Sequence, residues 1–178
     1  MSIAVIDYNL GNVRSISEAF KNQNADIILT RNKNEILKSE GVVIPGVGSF
    51  SQGMKNLVNF DLVDVLKECA TLEKPLLGIC LGMQLLFEES EEFGKTNGLG
   101  LISGKIIELP TKDNLNEKLP HVSWNEIKID KASWDNTILS DIQEGSDMYF
   151  VHSFVAKPKD SNNVLSLTEY SKYLFCSS

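Results

Sequence analysis

Cys80 stands between two glycines in GICLG, residues 78–82, where the apolar run 75–79 meets the helix-like run 81–90. Glycines on both sides relieve crowding in a sharp strand-to-helix elbow, and the side chain between them points out over the C-terminal edge of a sheet. At the start of a helix the partial positive charge favours a thiolate. The Leu81 N–H faces the same space and can donate to an oxyanion. The residue types therefore suit a cysteine nucleophile. They equally suit a buried cysteine in a tight glycine turn, since free cysteine is often core. A nucleophilic thiol needs a base, and the chain has two histidines, His121 and His152.

PGVGSF, residues 45–50, follows an apolar run and precedes a helix-like one. Its backbone N–H groups would lie at the same sheet edge, where open α/β sheets bind ligands. Without the Lys-Ser/Thr of a P-loop it suits an oxyanion better than a phosphate. A glycine-rich turn and nothing more is the plainer alternative. PHVSWNEI, residues 120–127, gathers His121, Trp124 and Asn125 in what reads as one short loop. Trp and Asn together are common in contact surfaces, although a loop histidine beside a buried Trp would look the same. YFVHSF, residues 149–154, alternates as a strand, with His152 on the opposite face from Val151. A histidine so placed is more often structural than catalytic.

The elements that must position these residues alternate. Residues 2–8, 26–30, 41–46 and 75–79 read as short buried strands. Residues 13–23, 32–40, 49–57, 61–72 and 81–90 read as helices. Val13, Ile16, Ala19 and Phe20 share one face of the first helix, and Asp61 is a plausible N-cap of the fourth. Strand alternating with helix predicts an α/β fold, a mostly parallel open sheet with helices on both faces. From about Gly98 the pattern becomes strand-rich. No repeat or linker divides the 178 residues, so one domain is expected.

The formal charge of −7 repels phosphates, which disfavours nucleic acid or an acidic membrane as partner. No apolar run approaches a membrane span, and the N-terminus lacks the pattern of a signal peptide. Three widely spaced cysteines, Cys69, Cys80 and Cys176, read as free thiols of a cytoplasmic protein. No metal-ligand spacing occurs, and no cofactor or metal is expected.

Five segments together carry a resemblance. IDYNLGNVRS, VIPGVGSF, PLLGICLGMQLLFEES, LPHVSWNEI and YFVHSF run in order over nearly the whole chain. In this the chain resembles the class I (triad) glutamine amidotransferases, and most of all the branch that supplies glutaminase subunits to imidazole glycerol phosphate synthases. That likeness implies a flavodoxin-like fold and a glutaminase. Cys80 would attack the side-chain amide of glutamine, forming a thioester and releasing ammonia. Val47, Gly48 and Leu81 would form the oxyanion hole. Gly48, Gln84, His152 and Ser153 would hold glutamine. Asn12, Trp124, Asn125 and Tyr149 would face the partner of a heterodimer, a cyclase of TIM-barrel fold. Asn9 and Ser123 stand where the family usually has glycine.

The same likeness places the base in a late His-Pro-Glu segment. The sequence closes on YLFCSS, and neither His121 nor His152 occupies that position. The expectation is a domain truncated at its C-terminus, with the chain as given impaired. The alternatives are a paralogue feeding ammonia to a surface-sugar amidotransferase, or a non-catalytic subunit that binds glutamine or a partner. A cysteine peptidase of related fold is disfavoured by LGMQ after the cysteine.

Overall fold

The computed structural model describes residues 2–110, 118–130 and 133–177. It comprises two compact units, 1–101 and 102–178. Among the described residues no helix is long and apolar enough to cross a membrane.

The first unit runs β1 (Ser2–Ile6), α1 (Val13–Asn22), β2 (Asp26–Thr30), α2 (Lys33–Lys38), β3 (Gly41–Ile44), α3 (Phe50–Asn59), α4 (Val63–Thr71), β4 (Leu76–Gly78), α5 (Leu81–Leu85), β5 (Phe87–Ser90) and β6 (Thr96–Asn97). The first four strands form a parallel sheet in the order β2-β1-β3-β4. Ala4, Val5 and Ile6 of β1 and Val42, Val43 and Ile44 of β3 are all buried. Such unbroken apolar runs belong to strands covered on both faces. The order reverses between β1 and β3, and the crevice outside their C-terminal ends is where this fold class binds ligands. Asn12 caps α1 by accepting from Ser15 N at 3.4 Å, and Asn32 caps α2 by accepting from Asn34 N at 2.9 Å. The parallel α/β expectation is borne out.

Three local expectations are corrected. Asp61 does not cap α4. It closes α3 in the left-handed conformation, φ 55°. Its N–H donates to Val58 O at 3.0 Å, and Leu62 N donates to Leu57 O at 2.9 Å. That pair of bonds is a Schellman ending, and α4 begins after Leu62 without a side-chain cap. The helix after Cys80 does not reach Ser90. It ends at Leu85 because the segment 98–101 returns to bond this stretch: Leu99 N, Leu101 N and Gly100 N donate to the carbonyls of Leu85, Leu86 and Phe87 at 2.9, 2.8 and 3.0 Å. Ala19 is exposed, whereas Val13, Ile16 and Phe20 are half-buried.

The second unit holds β7 (Ile102–Glu108), β8 (His121–Ile129), β9 (Asp147–His152), β10 (Phe154–Pro158), β11 (Ser166–Tyr170) and β12 (Tyr173–Cys176). They pair antiparallel in the order β7-β10-β12-β11-β8-β9. Leu109, Val155 and Phe175 form one buried cluster of its core, with Phe150 and Tyr170 packed against them. PHVSWNEI, read as a loop, is mostly strand. Its register against β9 runs from His121↔His152 to Glu126↔Asp147. The alternation was hidden because the inward positions His121, Ser123 and Asn125 are polar. The outward ones include Val122 and Trp124, exposed by 53% and 67%.

Candidate active site

Cys80 sits in the left-handed half of backbone space, φ 55° and ψ −115°, immediately before α5. A non-glycine residue there is strained, and such strain gathers at active sites. The surroundings leave the elbow no other shape. A Cβ on Gly82 would lie 1.8 Å from Ile44 O, and one on Gly78 would lie 2.5 Å from Met83 N. Gly82 is therefore required for the elbow to press against β3, and Gly78 for the start of α5 to lie against the end of β4. Ile79 N donates to Ile44 O at 3.0 Å, locking β4's end to β3's end. Cys80 itself is exposed, whereas Cys69 and Cys176 are buried. Burial also pushes the Cys69 thiol up, ahead of the opposing pull of Lys74. Of the three, Cys80 alone has the setting of a nucleophile.

The turn 45–49 faces the same sheet edge. Pro45 and Gly46 are buried, whereas Val47 and Gly48 are exposed. Gly48 has φ +108° with nothing near its Cβ position. Leu81 is buried at the first position of α5, and Gln84 lies one turn further on, half-buried. Asn12 is exposed and caps α1. The first unit thus brings Cys80, Leu81, Gln84 and the 45–49 turn to the C-terminal ends of two adjacent strands.

His152, Ser153, Trp124, Asn125 and Tyr149 belong to the second unit. His121 is fully buried, and its Nδ1 lies 2.9 Å from His152 Nε2. His152 Nδ1 lies 3.2 Å from Phe154 O. A carbonyl only accepts, so His152 carries its proton on Nδ1 and takes one from His121 at Nε2. His121 Nε2 meets Ser123 Oγ at 2.8 Å and Asn125 Oδ1 at 2.9 Å. Asn125 Nδ2 in turn donates to Glu169 O at 3.1 Å. His121 also stacks on Tyr170, centroids 4.0 Å apart. Ser123 therefore joins a hydrogen-bonded row on the inner face. Burial, then the neighbouring His121, pushes the His152 pKa down to about 4, against the opposing pull of the Phe154 carbonyl. On the outer face Trp124 and Tyr149 pair across the strands with centroids 5.6 Å apart, both exposed. Trp124 is not core; the buried tryptophan is Trp134, whose Nε1 donates to Leu165 O at 2.9 Å.

Two residues escaped the sequence. Glu92 Oε2 accepts from Phe50 N at 2.5 Å, capping α3 where Ser49 makes no side-chain bond. Tyr8 is fully buried and donates its hydroxyl to Pro45 O. Partners 42 and 37 residues away leave no local signal.

The chain has close relatives among known proteins. Over 160 residues it is 48% identical to the imidazole glycerol phosphate synthase subunit HisH of Bacillus cereus (strain B4264), covering 89% of this chain and 72% of that one. Over 173 residues it is 40% identical to subunit HisH 1 of Legionella pneumophila (strain Lens), covering 95% and 81%. Among solved structures, a glutamine amidotransferase shares the fold at TM-score 0.69 and 16% identity, covering 97% of this chain and 88% of that one. The glutaminase domain of Trypanosoma brucei CTPS with bound acivicin does so at TM-score 0.68 and 14% identity, covering 99% and 79%. The family described as glutamine amidotransferase class-I matches residues 4–174. With that match, and relatives so similar over most of their length, the chain belongs to the class-I glutamine amidotransferases.

Proposed function

We propose that this chain is the glutaminase subunit of an imidazole glycerol phosphate synthase, acting in histidine biosynthesis. It hydrolyses glutamine to glutamate and delivers the ammonia to a cyclase subunit of TIM-barrel fold. Residues 1–178 serve as one amidotransferase domain. The observation that carries the proposal is the exposed, strained Cys80 elbow, set between two glycines that cannot bear a side chain.

The chemistry follows from that geometry. The Cys80 thiolate adds to the carbonyl carbon of the glutamine side chain, forming the C–S bond and pushing an electron pair onto oxygen. Leu81 N–H and the amides of Val47 and Gly48 receive that oxyanion. Its collapse breaks the C–N bond, and the nitrogen leaves as ammonia after taking a proton from water. Water then cleaves the thioester to glutamate and frees Cys80. Gly48, Gln84, His152 and Ser153 hold the substrate. Both His152 ring nitrogens already have protein partners, so the part of His152 falls to its backbone groups. Neither histidine is assigned as base to Cys80; the ring nitrogens of the pair bond each other, Ser123 Oγ and Phe154 O. The outer face of β8 and β9, with Trp124 and Tyr149, docks the cyclase together with Asn125 and Asn12. The acidic charge of −7 steers a partner with a basic face.

The test is labelling with a glutamine-shaped electrophile, followed by peptide mapping. Label on Cys80, and its suppression by glutamine, is the expected result. Label spread over Cys69 and Cys176 would sink the assignment.

A further inference from the structure

We propose that Tyr8 is a positioning residue for the oxyanion loop, its buried hydroxyl pinning the base of the 45–49 turn from which Val47 and Gly48 project. This rests on the glutaminase reading above, and it concerns a side chain to which that reading gives no role.

Tyr8 follows β1 and is fully buried. A buried phenol needs a hydrogen-bond partner, and this one donates to Pro45 O. The Tyr8 carbonyl is itself held, accepting from Asn56 Nδ2 of α3 at 2.9 Å. The same turn is thus tied to Tyr8 from both ends: directly at Pro45, and through α3, which begins at Phe50.

The bond to Pro45 matters because of where it falls. The last carbonyl of β3, Ile44 O, is taken by Ile79 N of the elbow. Pro45 has no N–H, so its carbonyl is the next group by which the chain can be fixed. Peptide planarity means that fixing Pro45 O fixes the Gly46 N–H with it. Gly46 is then wedged, since a Cβ there would lie 2.6 Å from Tyr8 Oη, 2.8 Å from Leu81 Cβ and 2.9 Å from Gly82 N. Tyr8, the turn and the elbow meet at that point. Gly11 presses from the other side, its Cβ position 2.9 Å from Pro45 Cβ. Immediately beyond, the restraint stops: Val47 is 54% exposed, and no atom lies within 4 Å of a Cβ on Gly48. The proposed oxyanion donors lie one and two residues past the wedged glycine. Their distance from Cys80 is therefore set by the pinned carbonyl.

Tyr8 also keeps its proton through the reaction. Burial raises its pKa first, and the negative charge of Cys80 raises it further. The hydroxyl remains a donor to Pro45 when Cys80 is a thiolate.

The experiment compares two reagents on the full chain and on Tyr8→Phe, which removes only the hydroxyl. A glutamine-shaped diazoketone presents a carbonyl oxygen to the oxyanion loop, whereas iodoacetamide alkylates a thiol without needing the loop. We expect Tyr8→Phe to lower the maximal rate of Cys80 labelling by the diazoketone about tenfold, less than deleting an oxyanion donor outright. The concentration for half-maximal rate and the iodoacetamide rate stay as in the parent. Unchanged rates with both reagents would overturn the proposal. So would equal slowing of both, or new labelling of buried Cys69, either of which makes Tyr8 a packing residue. Failure of the glutaminase reading shows separately, in the parent chain: Cys80 would then react no faster with the L-diazoketone than with its D-isomer. That outcome removes this inference too.

Discussion

His121 Nδ1 donates to His152 Nε2 at 2.9 Å, across one register pair of β8 and β9. The pair joins the inner row of β8, Ser123 and Asn125, to the β9–β10 corner where His152 bonds Phe154 O. The folded state holds His152 neutral, its pKa pushed down to about 4 from an ordinary 6.5. Above pH 6.5 the group is neutral folded or unfolded, and its contribution to stability is fully present. As pH falls from 6.5 towards 4 the unfolded chain takes the proton first, so stability is lost across that window. Urea midpoints should therefore fall with pH over this range more steeply in the parent than in His152→Gln. Equal slopes would show that the pair does not resist protonation.

Gly82→Ala should destroy the elbow. The new Cβ would sit 1.8 Å from Ile44 O, a backbone atom that cannot swing aside. We expect a loss of about 3 kcal/mol in stability, at the upper end for overpacking, and at least a tenfold fall in Cys80 labelling. Gly41→Ala is the control, since its Cβ would meet Pro75 O at an ordinary 3.5 Å. Parallel denaturation and alkylation curves for the two variants check this.

Trp124→Ala should weaken association with the cyclase by about 2 kcal/mol, as expected for a buried aromatic anchor. Its side chain is 67% exposed in the isolated subunit and touches Tyr149. The fold should lose only the cross-strand aromatic contact, about 1 kcal/mol or less. Titration calorimetry with the cyclase, beside a melting curve of the subunit, separates the two effects. Unchanged affinity would move the interface elsewhere.

The 178-residue chain should turn glutamine over slowly even with its partner. Its two imidazoles are committed to each other and to Phe154 O, Ser123 and Asn125. General-base help is typically worth about 10²–10⁴-fold. Ammonia release measured on this chain, and on His152→Gln, should be low and similar. A turnover at ordinary enzyme rate that His152→Gln abolishes would restore His152 as base.

The geometry of the Cys80 elbow was legible because its signals are local. Gly78 and Gly82 flank Cys80 within five residues, and steric relief at an elbow is a matter of nearest neighbours. The unbroken apolar runs of β1 and β3 likewise announce a covered parallel sheet, since burial on both faces leaves no room for alternation. Tertiary structure alone decided the rest, where partners far apart in sequence settle the outcome. The helix after Cys80 stops at Leu85 because Leu99, Gly100 and Leu101 return to claim its carbonyls. PHVSWNEI is strand although its inward positions His121, Ser123 and Asn125 are polar, because partners on β9 and β11 receive them: His121 bonds His152 and Asn125 Nδ2 donates to Glu169 O, pairings that a hydropathy pattern does not show. Glu92 reaches the start of α3, and Tyr8 reaches Pro45, across distances in sequence over which no spacing rule operates. Short-range sterics is written in consecutive residues, whereas hydrogen-bond satisfaction in a core depends on which segments the fold brings together.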